Sequence, residues 1–197
     1  MRALHEAGLR RVVRYAWYAL ADVVYRALLL PPLQSWWLRR LGAVIGKDTV
    51  LMDVRFMSAN VNGFTALRIG RDCFIGSECL IDLASAVTIE DQVTIAARSV
   101  VLSHLNVGYR DHPLQRHFPR HFAGVTIRRG AYVGANVTVL PGLEIGSMAF
   151  VAAGSVVTEN VAPLTLVAGV PARVIRHLPE DGAADVPPSP GPSTNRH

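Results

Sequence analysis

The chain has 197 residues, half of them hydrophobic and 18% charged. That length and apolar content exclude a wholly disordered or highly charged tail protein, and suffice for one domain with a core plus short additions at its ends. The net charge of +5 points to an anionic partner, but no aromatic–basic interleaving of the kind that stacks bases is present, which argues against nucleic acid.

Residues 6–30 read as an amphipathic helix. Arg14, Tyr18, Asp22 and Arg26 recur every four residues as a polar stripe, with Asp22 ahead of Arg26 in the favourable order. Val13, Trp17, Leu20, Val24 and Leu28 make an apolar face at helical spacing. Each charge in this stretch would cost about 2.5–3.5 kcal/mol at bilayer depth, so it is not a span, and no secretory signal is evident. Pro31 and Pro32 stop the helix, and Leu33–Leu41 form a second short one carrying Trp36 and Trp37. Residues 1–43 are therefore a helical lead-in. It either caps the domain that follows or makes peripheral contact with a membrane, and capping is favoured because an open solenoid end leaves unpaired edges.

Residues 44–178 are a repeat. Aliphatic residues recur every six positions: Ile69, Ile75 and Ile81; Ile89, Ile95 and Val101; then Ile127, Val133, Val139, Ile145, Val151 and Val157. Four places later come mostly small residues, among them Cys73, Cys79, Ser99, Ala131, Ala149 and Ser155. A period of six fits neither a helix at 3.6 nor a strand at 2, but it fits a triangular solenoid in which each hexapeptide makes one short strand and one corner. Glycine beside the aliphatic, as at Gly70, Gly76, Gly134 and Gly146, is expected to supply backbone angles that other residues resist. Three interruptions are visible: 61–66 (VNGFTA), Val87–Thr88, and a long loop, 105–124, that follows Ser103–His104. Long loops inside compact repeats are more often functional than not.

Residues 179–197, rich in Pro, Gly, Ser and Asp, read as a disordered tail. Cys73 and Cys79 read as two buried thiols in a reducing compartment.

The run VTIEDQVTIAARSVVLSH, the long loop, and then VTIRRGAYVGANVTVLPGLEIGSMAFVAAGSVVTENVAPLTLVAGVPARVIRHL resemble the hexapeptide-repeat sugar O-acetyltransferases, whose members include maltose, galactoside and exopolysaccharide acetyltransferases. The lead-in LPPLQSWWLRRLGAVIG is similar to that of the exopolysaccharide and lipopolysaccharide enzymes. The resemblance implies a mainly β chain wound as a left-handed parallel β-helix. It also implies a homotrimer, with acetyl-CoA as donor, no metal, and a hydroxyl on a sugar or glycosylated acceptor. The two thiols and the helical lead-in point to a cytoplasmic location or one peripheral to the inner face of the membrane.

His104 stands where the family has its single catalytic histidine. Imidazole is suited to removing an alcohol proton near neutral pH, and a thioester is already activated, so no acyl-enzyme is required; no nucleophile elbow is present. Asp82 lies on an earlier coil, placed to orient that imidazole or to bind sugar hydroxyls, although the family's carboxylate aligns one position later, at Leu83. By the same resemblance the pantetheine arm passes Gly134, Ala135, Ala153 and Gly154. Tyr132 stands where tryptophan is frequent at the thiol end. Thr158, Arg173 and Arg176 meet the nucleotide end, where guanidinium suits phosphate, although Glu159 replaces a frequent lysine. The loop histidines His112, His117 and His121 raise a γ-carbonic-anhydrase-like alternative, which needs histidines in register on successive coils. A non-catalytic β-helix scaffold is the second alternative.

Overall fold

Strands mostly of two or three residues alternate with corners from Val44 onward, and they stack into three parallel faces of a prism. The computed structural model describes residues 9–180, apart from the side chains of Arg10 and Arg11. The first residues of the expected helix, 6–8, and the expected tail beyond 180 lie outside them. The first face holds Val44–Ile45, Leu67–Ile69, Val87–Ile89, Val125–Ile127 and Glu144–Ile145. The second holds Val50–Leu51, Phe74–Ile75, Thr94–Ile95, Tyr132–Val133, Phe150–Val151 and Thr165–Ala168, closed by the antiparallel Arg173–His177. The third holds Arg55–Met57, Leu80–Asp82, Val100–Val101, Thr138–Val139 and Val156–Val157. In the regular part a strand pairs with the one eighteen residues on, as Tyr132 does with Phe150 and Thr138 with Val156. Each coil is thus three hexapeptides.

The aliphatic of each hexapeptide points into the prism. Ile75, Ile89, Ile127, Val133, Val139, Ile145 and Val151 are all buried, and the small residues four places on sit beneath the corners. Cys73 and Cys79 belong to that second set. Their thiols contact the Glu90 and Ala96 carbonyls at 3.0 and 3.1 Å, and burial pushes both thiols up in pKa.

Glycine plays a different part from the one expected. Gly134 and Gly146 do not adopt left-handed angles. A Cβ on Gly146 would lie 2.4 Å from the Pro163 nitrogen, and one on Gly134 would lie 2.6 Å from the Ala153 nitrogen. They are small so that successive coils can approach. The left-handed position is three after the aliphatic; Gly130, Gly142 and Gly154 hold it in three corners, but elsewhere side chains do, and Asp72, Gln92, Asn136 and Met148 have φ between 55 and 60°. The strain there is offset because each of their amides continues the stack, donating to the Lys47, Arg71, Ala97 and Arg129 carbonyls at 2.8 to 3.0 Å.

Helix α1 (Leu9–Ala27) and helix α2 (Pro31–Arg40) cover the open end. The two prolines open α2 rather than ending α1, because proline at the first helical positions forfeits no hydrogen bond. Leu38 is fully buried, and Arg39 donates from Nε to the Ile45 carbonyl and from Nη2 to the Gly46 carbonyl, both at 2.9 Å, closing acceptors that no preceding coil is there to meet. Trp37 Nε1 ties the helices together by donating to the Ala21 carbonyl at 3.1 Å. The face of α1 that packs inward coincides only in part with the expected apolar one, of which Val24 and Leu28 are half-buried. Tyr18, Ala21 and Tyr25 face the protein, with Tyr18 against Phe64 and Tyr25 edge-on to Phe56, while Val13, Trp17 and Leu20 remain exposed. Asp22 and Arg26 do pair, at 2.6 Å.

Candidate active site

All three interruptions of the period fall at one corner of the prism, where the third face turns into the first. After Arg55–Met57 the chain leaves the coil at Ser58, in a left-handed conformation with φ 58°, and makes two short turns, Ala59–Asn62 and Phe64–Ala66, before rejoining the first face. One coil on, Asp82 ends Leu80–Asp82, and the corner that follows is two residues longer than a regular one. Strand Val87–Ile89 itself is regular, pairing with Leu67–Ile69 and Val125–Ile127. The extra residues therefore lie in 83–86 and not at Val87–Thr88, where the repeat phase alone placed them. On the next coil His104 opens an antiparallel pair, His104–Leu105 with His121–Phe122, that carries the long loop out as an arm. Cross-links unite the three departures: Asn62 Nδ2 donates to the Ala84 carbonyl at 2.6 Å, and the Ser85 amide donates to Ser103 Oγ at 2.9 Å.

Asp82 sits at the centre, with no exposed surface. Its Oδ2 lies 2.6 Å from His104 Nδ1 and accepts from the Ser103 amide at 2.9 Å, with Ser103 Oγ also at 2.9 Å. Its Oδ1 accepts from the Ala84 amide at 3.2 Å. Burial by itself would push the carboxyl up, but hydrogen bonds from His104, Ser58 and Ser103 outweigh it and hold Asp82 below the usual carboxylate range. An ionised Asp82 is acceptor-only, so Nδ1 of His104 carries the proton toward it and Nε2 is left as the basic nitrogen. Among the described residues Nε2 has no partner. The imidazole is stacked on Phe122, ring centres 5.9 Å apart and 18° from parallel, and the Arg120 guanidinium lies over the same phenyl ring at 5.9 Å. The result is a rigid, partly exposed imidazole with one nitrogen anchored and the other open.

Ser58, Ser103 and Phe122 escape a reading based on the repeat. Ser103 adjoins His104 and the phase of the three breaks is visible in the sequence, but nothing there marks Ser58 or Phe122.

The remaining candidates are distributed elsewhere. Thr158 follows the third-face strand Val156–Val157, so it lies on the same edge as His104, two coils on. Gly134, Ala135, Ala153 and Gly154 line the corner between the second and third faces, a different edge. Gly154 takes φ 73° and a Cβ there would meet nothing within 4 Å, whereas Gly134 is packed against the next coil. Tyr132 faces outward on the second face, stacked on Phe150 at 4.6 Å. Arg173 and Arg176 lie on the closing antiparallel strand, and Arg173 reaches Glu159 at 3.4 Å. One chain alone does not bring these groups to His104. The loop histidines do not gather either. His112 instead accepts from the Leu114 amide, and among the described residues no three His, Cys, Asp or Glu side chains group as metal ligands would.

Residues 66–103 and 124–159 match the hexapeptide repeat of succinyl-transferase. The chain is 30% identical over 141 residues to galactoside O-acetyltransferase of Escherichia coli K12, covering 72% of this chain and 66% of that protein. The chain belongs to the hexapeptide-repeat acetyltransferase family. It is also 31% identical over 123 residues to a serine acetyltransferase of Buchnera aphidicola, covering 62% of this chain but only 43% of that protein. Its fold is that of a hexapeptide-repeat acetyltransferase of Vibrio cholerae solved in complex with acetyl-CoA, with a TM-score of 0.75 at 23% identity over 88% of this chain and 92% of the other. The match to the repeat skips 104–123, so the arm lies outside what this family's coils share.

Proposed function

We propose that this protein transfers an acetyl group from acetyl-CoA directly to a hydroxyl of a sugar or glycosylated acceptor, with His104 as general base and Asp82 as the group that orients it. The observation that carries the reading is the 2.6 Å contact between a buried, ionised carboxylate and Nδ1 of an imidazole whose Nε2 is open. In the step it supports, Nε2 takes the acceptor's hydroxyl proton as the oxygen attacks the thioester carbonyl. The tetrahedral adduct then expels the CoA thiolate, which takes the same proton back from the imidazolium. The products are the acetyl ester and CoA thiol. Asp82 stabilises the transient imidazolium and keeps the ring in the productive tautomer.

In this reading the donor runs along small residues that admit backbone contact, Gly134, Ala135, Ala153 and Gly154, with Tyr132 at the thiol end and Thr158, Arg173 and Arg176 at the nucleotide; the resemblance to the family supports it. Because these lie on a different edge or face from His104, apart from Thr158, the site is completed by a second copy, and we infer a homotrimer. Two buried, unbridged thiols fit a reducing compartment and support reading the reaction as cytoplasmic. Thiol release from acetyl-CoA, followed over a panel of sugars and glycolipid precursors, tests the reading. Release that requires one of these acceptors and disappears in His104→Ala is expected; release indifferent to His104 would overturn it.

A further inference from the structure

Helices α1 and α2 cap the prism with one side and leave the other bare. On α1, Leu9, Val13, Trp17 and Leu20 are 79, 60, 55 and 57% exposed, and on the following segment Leu30 and Trp36 are 60 and 49% exposed. Isolated exposed apolar residues need no explanation, but a helix face of four at i, i+4, i+8 and i+11, each more than half exposed, is unusual on a soluble surface. The charge distribution is equally uneven. Residues 9–40 hold six arginines and the single aspartate Asp22, a balance of +5 equal to that of the entire chain, so the other 14 basic and 14 acidic residues cancel. Asp22 is already paired with Arg26, and Arg40 lies over the Trp36 ring at 5.5 Å, a cation riding on an apolar side chain. No described helix is long and apolar enough to cross a membrane.

We propose that this capping unit is also a membrane-docking surface, on which α1 lies in the plane of an anionic bilayer with Val13, Trp17 and Leu20 inserted at the headgroup boundary and Arg14 and Arg40 against lipid phosphates. The charge decides the occupant. A second copy of the same face would bring together two segments of +5, and residues 181–197 hold little besides Ala183, Ala184 and Val186 with which to cover an apolar face. An anionic lipid surface answers both features at once. The packing of Tyr18 against Phe64 and of Tyr25 against Phe56 keeps the helix in place before docking, so binding carries no cost of folding it. The consequence is positional: the enzyme would hold its site near acceptors displayed at a lipid surface.

The test is co-sedimentation of the full chain with vesicles of pure phosphatidylcholine and of an equimolar phosphatidylcholine–phosphatidylglycerol mixture. Binding to the mixed vesicles is expected to exceed binding to neutral ones at least about tenfold, and to weaken in roughly 0.5 M salt. The doubly substituted W17S/L20S chain, altered only at exposed positions, should lose about tenfold in partitioning while its melting temperature and its turnover of a soluble acceptor stay unchanged. If that variant does not fold, R14Q/R40Q serves instead, with the salt-sensitive part of binding as its readout. Equal binding to neutral and anionic vesicles would overturn the proposal. So would a substituted chain that partitions like the unaltered one, or W17S/L20S lowering the oligomeric mass without lipid, which would assign the face to a second copy.

Discussion

Residues 125–168 and residues 44–124 are built from the same hexapeptide, yet one half is all repetition and the other is organised around its exceptions. In the later half the coils run eighteen residues from strand to strand, until the last, where Phe150 pairs with Leu166 and Val151 with Val167 sixteen residues on. In the earlier half Val44 pairs with Arg68, Arg68 with Thr88 and Thr88 with Thr126, so successive coils are lengthened by six, two and twenty residues. Each extra segment emerges at the same edge, and together they surround Asp82 and His104. Regular coils satisfy their backbone through their neighbours and leave no unpaired group with which to do chemistry. A site needs a side chain turned away from the lattice, and the lengthened corners supply the room. The first face holds the two halves together where the arm returns, since Arg128 bridges Glu90 at 2.9 Å and Glu144 at 2.8 Å across three coils.

If the exceptional half carries the chemistry, His104→Ala should lower kcat by roughly 10²- to 10⁴-fold with the oligomer and the melting temperature intact. Steady-state kinetics beside light scattering would show it; a loss traced to dissociation instead would move the role of this edge from chemistry to assembly.

Asp82→Asn should cost about 10² in kcat, because the amide no longer compels the proton onto Nδ1. It should also flatten the acid limb of stability. The folded carboxyl of Asp82 lies below its ordinary value of 3.8. Its contribution is therefore present above that value and is lost as pH falls through the lower folded one. Melting temperature recorded against pH should show the unaltered protein losing more than the variant over that window.

The regular half should respond in the opposite way. Gly146→Ala puts a methyl where the Pro163 nitrogen would be 2.4 Å away, so it should destabilise by about 1–3 kcal/mol while leaving kcat of the folded fraction nearly unchanged. A substituted chain melting like the original would show that the coils can part, and the contrast between the halves would weaken.

The smallest effect is expected at the closing strand. Arg173→Ala should raise the KM for acetyl-CoA by roughly 3- to 10-fold with little change in kcat, since Arg173 is exposed and already shared with Glu159 at 3.4 Å. A fall in kcat with unchanged KM would remove Arg173 from the donor site.

Periodicity alone determined the solenoid, because a six-residue rhythm of Ile and Val has only one way to bury itself. It also showed where the rhythm fails and that a histidine stands at the longest failure. What it could not reach were relations between coils. The glycines beside the aliphatics prove to be spacers between neighbouring coils rather than left-handed hinges, a distinction that depends on atoms a whole coil away. The second interruption belongs to 83–86 because strand Val87–Ile89 is held in register from both sides. Ser58 and Phe122 reach the site only through the third dimension, one across a coil and one across a hairpin. The helix face turned inward was decided by Phe56 and Phe64, which offer aromatic edges to Tyr18 and Tyr25 and nothing for Trp17 to meet. Local rhythm encodes which residues are buried; only stacking decides which buried and exposed groups meet.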